Sequence, residues 1–256
     1  MGNYQFLKLE VKDYIATVTL DRPPVNALSM DLYREIGNVF QEISDRIDDV
    51  RVAILTGADN RFCAGRDLKI ADSDPPEKRS ATVRAAFAAL YHCAVPVIAA
   101  VNGPALGGGF TLVIDSDIII ASEKAVFGLP EINAGLCGGM AGTRRGLNQY
   151  QGRYLYFTGE KISAQELQSM GMVRKVVPHD ELMPEALKLA QVLASKSPLA
   201  LRAAKWSANE VEKILDFEHA YRAVESRVSM GLLNTEDHKE AVRAFTEKRP
   251  PVFKGR

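Results

Sequence analysis

Pro96-Val97-Ile98-Ala99-Ala100-Val101-Asn102-Gly103-Pro104-Ala105-Leu106-Gly107-Gly108-Gly109-Phe110-Thr111-Leu112-Val113-Ile114 is the stretch that decides the fold. A short apolar, β-branched run feeds a turn of Asn, Gly and Pro, then three glycines, then a second apolar run compatible with a helix. Successive glycines let something approach the backbone closely and set several N–H groups at a helix N-terminus, where partial positive charge gathers. Such a place suits an anion, preformed or developing in a transition state. The same residues also make a plain tight connection without a ligand, so the segment has to be read with its neighbours.

Two other segments have the same character. Phe62-Cys63-Ala64-Gly65-Arg66-Asp67-Leu68 follows a buried-looking strand, Val52 to Thr56, and Phe127-Gly128-Leu129-Pro130-Glu131 closes on one carboxylate in apolar company. Apolar neighbours raise a carboxyl pKa toward neutrality, which suits proton transfer. The plain alternative for Glu131 is a surface glutamate after a proline.

Around these segments the pattern is α/β. Lys8 to Leu20 predicts a hairpin turning at Asp13-Tyr14, and Ser29 caps a helix whose stripe is Leu32, Ile36, Val39, Phe40, Ile43 and Ile47. A helix over Lys78 to His92 is expected after the proline-broken loop Asp72 to Lys78, then strands at Val97–Val101, Asp117–Ala121 and Ala125–Phe127, and a helix near Gly142. From Glu181 onward helices dominate, at Glu181–Ser195, Pro198–Lys213, Leu215–Gly231 and Glu236–Glu247.

Composition narrows the function classes. With 256 residues and 46% hydrophobic content the chain can bury a large core. Lys plus Arg equals Asp plus Glu at 32 each, so net charge draws the protein to neither nucleic acid nor an anionic membrane. The apolar region 94–121 is broken by Asn102, Pro104, glycines, Asp115 and Asp117 and fails as a membrane span. Three cysteines with no C-x-x-C pair, and an N-terminus without a signal or lipidation motif, lead us to expect a reducing, cytoplasmic setting. The triple glycine fits neither G-x-x-x-x-G-K-[ST] nor G-x-G-x-x-G, and the four histidines have no metal-ligand spacing. Neither a nucleotide cofactor nor a metal is expected. Cys63 reads as a packed cysteine, since no histidine accompanies it in sequence.

The three segments, in this order and spacing, resemble the crotonase (enoyl-CoA hydratase/isomerase) superfamily. The likeness includes Asp21-Arg22-Pro23-Pro24-Val25-Asn26-Ala27-Leu28 near the start and Ala244-Phe245-Thr246-Glu247-Lys248-Arg249-Pro250-Pro251-Val252-Phe253 at the end, and covers nearly the whole chain. The resemblance implies a ββα spiral core over 1–195 and a C-terminal helical region, 196–256, for oligomerisation and CoA contacts. It implies a homotrimer or homohexamer, with the loop 72–78 covering the acyl pocket. It assigns the main-chain donors for a thioester oxyanion to Arg66 and Gly108 and the acid/base role to Glu131. Substrate contacts fall on Arg66, Asp67, Leu68, Lys69, Gly108, Thr111, Gly139 and Lys248, with coenzyme A as part of the substrate and no separate cofactor. Taken alone, Arg66, Lys69 and Lys248 also read as solvated surface cations.

The chain departs from the hydratase pattern at one position. The first glutamate of the hydratase pair would stand two residues after the triple glycine, where this chain has Thr111. A hydroxyl orients water but is no base near pH 7. A hydratase-type enzyme working through Glu131 is expected; a 3-enoyl to 2-enoyl isomerase using Glu131 alone, or a non-catalytic acyl-CoA-binding member, are the alternatives.

Overall fold

The computed structural model describes residues 2–68 and 74–256. β1 (Leu7–Lys12) and β2 (Ile15–Leu20) form the expected hairpin, with Asp13 and Tyr14 both at positive φ in its turn. α1 (Met30–Asp45) follows, capped by the Ser29 hydroxyl accepting from the Leu32 N–H, and leads into β3 (Val52–Gly57). α1 buries Leu32, Tyr33, Ile36, Val39, Phe40 and Ile43. Ile47, expected in that stripe, lies beyond the helix end and is exposed, because the chain turns back at Asp45.

α2 (Pro76–Tyr91) starts two residues earlier than expected, with Pro76 in the first turn, where the missing N–H has no intrahelical partner to lose. β4 (Val97–Val101), β5 (Ala105–Leu106), α3 (Gly108–Ile114), β6 (Ile118–Ser122) and β7 (Val126–Gly128) follow. Then come α4 (Met140–Gly146), α5 (Gln149–Thr158), β8 (Lys161–Ser163), α6 (Ala164–Ser169) and β9 (Lys175–Val177). Sequence reading did not find α5, β8, α6 or β9. Three-residue strands carry too few residues to show a period, and they form only because a neighbour strand pairs with them.

β1 to β4, β6 and β9 make one sheet in the order β1-β2-β3-β4-β6-β9, antiparallel only at the hairpin, while β5-β7-β8 make a second. The parallel strands are buried on both faces, which is why β3 and β4 read as unbroken apolar runs. Alternate residues sort to opposite sides. Ala53, Leu55, Val97, Ala99 and Val101 join the cluster containing α1, while Ile15, Val52, Ile54, Ile98, Ala100 and Ile120 meet α7 (Leu182–Ala194). On α7 the contacts are Leu182, Ala186, Ala190 and Ala194, an alanine stripe that lets the helix lie close to the sheet.

The chain ends in α8 (Pro198–Val211), α9 (Phe217–Ala220), a π-turn at Tyr221–Glu225, α10 (Ser226–Leu232) and α11 (Glu236–Glu247). α8 is tied to the core by polar contacts. The Lys205 ammonium, 4% exposed, donates to Asp117 Oδ1 at 2.5 Å, while Asp117 Oδ2 accepts from the Val97 N–H at 2.7 Å. Arg202 donates to the Ser44 carbonyl, and Arg51 to that of Ala194. Leu215, placed in a helix by the sequence reading, instead lies fully exposed in the connection before α9. Among the described residues no helix is long and apolar enough to cross a membrane, and no group of His, Cys, Asp and Glu could hold a metal.

Candidate active site

The connections after β3 and β4 leave the carboxyl ends of parallel strands, the edge at which α/β sheets present their ligands. Side chains lock these connections together. Asn26, 3% exposed and at positive φ, receives the Arg22 N–H at 2.9 Å and donates to the Arg61 carbonyl at 2.8 Å. Asn102 donates to the Gly57 carbonyl at 2.6 Å.

The Arg66 and Gly108 segments meet through backbone alone. Cys63 N–H bonds Pro104 O at 3.0 Å and Leu106 N–H bonds Cys63 O at 3.0 Å, laying the two segments in parallel. Gly65 has φ +88°, and a Cβ there would stand 2.6 Å from Leu106 O and 3.5 Å from the Gly108 nitrogen. Only glycine allows that approach. On the other side, Leu28 N–H bonds Gly65 O at 2.8 Å and Asp67 N–H bonds Leu28 O at 3.1 Å. Because backbone groups alternate along such a ladder, the Arg66 N–H is directed away from Leu28. Gly108 is the first residue of α3, where the early N–H groups have no intrahelical acceptor.

Pairing of β5 with β7 brings in the carboxylate. Leu106 aligns with Gly128, and Gly107 N–H bonds Gly128 O at 2.8 Å, so the 3-10 turn Pro130–Ala134 begins beside the triple glycine. A Cβ on Gly107 would lie 2.5 Å from Glu131 Oε1. Glu131 Oε2 is buried and has no hydrogen-bond partner among the described residues. Burial pushes the Glu131 carboxyl above the ordinary carboxylate range. An orphaned carboxylate oxygen costs folding free energy and marks a place where a ligand or a water completes the set.

Thr111 stands one turn along α3, its hydroxyl 3.4 Å from the Gly107 carbonyl. Gly139, at φ +89°, faces it: a Cβ there would be 3.4 Å from Thr111 Oγ1. Three neighbours of Gly108, Leu28, Tyr33 and Phe87, were given no site role by sequence reading. Tyr33 belongs to the α1 stripe, yet its hydroxyl, like Leu28 Cδ1, would be 2.9 Å from a Cβ on Gly108; Phe87 meets the Tyr33 ring edge-on at 5.7 Å. Apolar and aromatic residues at such positions carry no local mark of a site. Cys63 is a packed residue, with its thiol against the Asn26 carbonyl and pushed by burial up to about 12.

Other expected contacts are less gathered. Asp67 pairs with Arg22 at 2.9 Å, and Leu68 is exposed. Lys69 lies outside the described residues, as do the first two residues, 72 and 73, of the expected pocket-covering loop; the next, Asp74, is held by Arg34 at 3.0 Å and Lys78 at 2.7 Å. Lys248 is the exposed C-cap of α11 at φ +52°, and no hydrogen bond or ion pair among the described residues joins it to Glu131, Thr111 or Gly139.

A model of the family described as Enoyl-CoA hydratase/isomerase matches residues 10–256. The chain belongs to that family. A probable mitochondrial enoyl-CoA hydratase of Dictyostelium discoideum is 40% identical over 252 residues, covering 95% of this chain and 89% of its own length. Carnitinyl-CoA dehydratase of Escherichia coli K12 is 38% identical over 251 residues, 94% of this chain and 95% of that one. The crystal structure of an enoyl-CoA hydratase from Bacillus anthracis superimposes with a TM-score of 0.93 at 33% identity, covering 98% and 100% of the two chains. The protein is therefore an enoyl-CoA hydratase/isomerase-family enzyme with the crotonase fold.

Within this family member, Gly107 is the glycine at which a side chain would meet the Glu131 carboxylate. Its φ of +54° and ψ of −123° suit only glycine, and any Cβ pushes Glu131 aside. Gly107→Ala is expected to lower kcat about a hundredfold, the worth of a misplaced acid/base group, and to cost about 1–3 kcal/mol of stability. Steady-state kinetics and thermal unfolding read both.

Proposed function

We propose that the protein is an acyl-CoA lyase of the enoyl-CoA hydratase type, with Glu131 as the acid/base and the N–H groups of Arg66 and Gly108 holding the thioester oxygen. The observation that carries this reading is Glu131 Oε2, buried beside the triple glycine with no hydrogen-bond partner among the described residues. In the hydration direction, Glu131 takes a proton from water as the water oxygen bonds the β-carbon. The double-bond electrons move onto the thioester oxygen as an enolate, held by the two donors. Glu131 then returns the proton to the α-carbon. Each main-chain donor in such a hole is worth on the order of 3 kcal/mol of barrier.

The second reading is 3-enoyl to 2-enoyl isomerisation, favoured by Thr111. Double-bond migration needs one carboxylate, which removes an α-proton and returns it at the γ-carbon. Relatives named as hydratase and dehydratase support the first reading. Incubating 2-enoyl- and 3-enoyl-CoA thioesters with the protein in deuterated water separates the two by mass and proton NMR. Added water supports the lyase. Deuterium uptake with migration and no added water supports the isomerase, and no change in any thioester rejects both in favour of a binding protein.

Residues 196–256 are proposed as the region that joins subunits into a homotrimer or homohexamer. Phe217 and Tyr221 on the α9 and π-turn segment, with Met230 and Leu233 further on, expose large apolar surface on a lone chain. Sedimentation at a mass of three or six chains is the expected result; a monomer would reject it. Acyl-CoA is proposed as the substrate, with no nucleic-acid or membrane partner and a cytoplasmic setting.

A further inference from the structure

Gly107 and Gly108 are adjacent in the chain but meet different side chains. A Cβ on Gly107 would collide with the Glu131 carboxylate, whereas one on Gly108 would stand 2.9 Å from the Tyr33 hydroxyl and 3.6 Å from Phe87. The peptide joining the two glycines carries the Gly108 N–H. Glu131 and Tyr33 therefore stand at opposite ends of that peptide, one a carboxylate and the other a hydroxyl.

Tyr33 is 3% exposed, and among the described residues its hydroxyl makes no hydrogen bond. The side chains of Leu28 and Phe87 beside it offer no acceptor, and the Cys63 thiol is directed at the Asn26 carbonyl. A buried hydroxyl left unpaired costs folding free energy, and a phenylalanine ring would fill the same space without that cost. Burial pushes the Tyr33 phenol above its ordinary range, with Cys63 and Glu131 adding to the rise and Arg66 opposing it. The phenol therefore keeps its proton and has a hydrogen bond to give.

The separation of the two donors fits one shared acceptor. A Cβ stands about 2.5 Å from its own backbone nitrogen, so the Tyr33 hydroxyl lies within about 5.4 Å of the Gly108 nitrogen. Donors no farther apart than that can both reach a single oxygen at ordinary hydrogen-bond lengths of about 2.8 Å.

We propose that the Tyr33 hydroxyl is a third donor to the thioester oxygen of the substrate, beside the N–H groups of Arg66 and Gly108. This rests on the reading of those two N–H groups as the thioester end of the site. The proton stays on the phenol oxygen throughout. As the double-bond electrons move onto the thioester oxygen, that oxygen becomes a stronger acceptor, so the bond tightens in the enolate more than in the bound ground state.

Acetoacetyl-CoA, which ionises to an enolate that absorbs in the near ultraviolet, and butanoyl-CoA, which is saturated and unreactive, are the probes, applied to wild type and Tyr33→Phe. The absorbance of bound acetoacetyl-CoA, followed against pH, reads how strongly each protein holds the enolate. In Tyr33→Phe the enolate is expected to form about two pH units higher than in wild type, the roughly hundredfold worth of one such donor. Calorimetry is expected to give butanoyl-CoA affinities within about tenfold of each other, and Tyr33→Phe is expected to melt no lower than wild type. Enolate formation at the same pH in both proteins overturns the proposal and leaves the thioester site standing. Parallel loss of both probes with a lower melting temperature makes Tyr33 a packing residue alone and overturns it as well. Failure of wild type to bind either thioester overturns the proposal together with the site it rests on.

Discussion

Glu131→Gln is expected to lower kcat about a thousandfold or more while leaving saturated acyl-CoA affinity within about tenfold. The substitution keeps the volume and one oxygen beside Gly107 but removes the group that exchanges protons. Folding should not suffer. A carboxyl with a raised pKa stabilises the fold while protonated, below the ordinary carboxylate range, and loses that contribution as pH rises through the raised value. At pH 8 the neutral amide is therefore expected to melt no lower than wild type. The same direction governs catalysis, since Glu131 must be ionised to take a proton. Turnover by wild type should climb as pH rises through that raised pKa. Turnover by Glu131→Gln near the wild-type rate would reject the assignment.

The largest stability effect is expected at the ion pair under α8. Asp117→Ala leaves the Lys205 ammonium, 4% exposed, without its partner and removes the acceptor for the Val97 N–H. An uncompensated buried charge costs about 3–5 kcal/mol. Lys205→Met replaces the buried ammonium with a side chain of similar length. It leaves Asp117 23% exposed and still bonded to Val97, so the cost falls to about 1 kcal/mol. The double variant should be more stable than Asp117→Ala alone. Denaturant unfolding of the three proteins checks the ordering, and equal destabilisation by both single changes would refute this account of the pair.

The readable parts of this chain are those whose signal is local. The hairpin at Asp13-Tyr14, the Ser29 cap, the α1 stripe and the unbroken runs of β3 and β4 each follow from periodicity, capping or double-sided burial. The short elements between Gly142 and Glu181 were not readable, because β8 and β9 exist through pairing with β7 and β6. The same distinction runs through the site. Glu131 stood out as a carboxylate in apolar company, whereas Tyr33, next to the first residue of the α1 stripe, carried no signal of its own.

From sequence alone came the α/β class, the three chemistry-bearing segments, the exchange of a glutamate for Thr111 and the family they resemble. What only the tertiary structure decided is distance. Gly65 and Gly108, 43 positions apart, come close because Gly65 has no Cβ, and Glu131 reaches Gly107 because β5 pairs with β7. Glycine content is written in the sequence. Which backbone each glycine admits depends on how the strands align, and that alignment follows from core packing across the whole sheet.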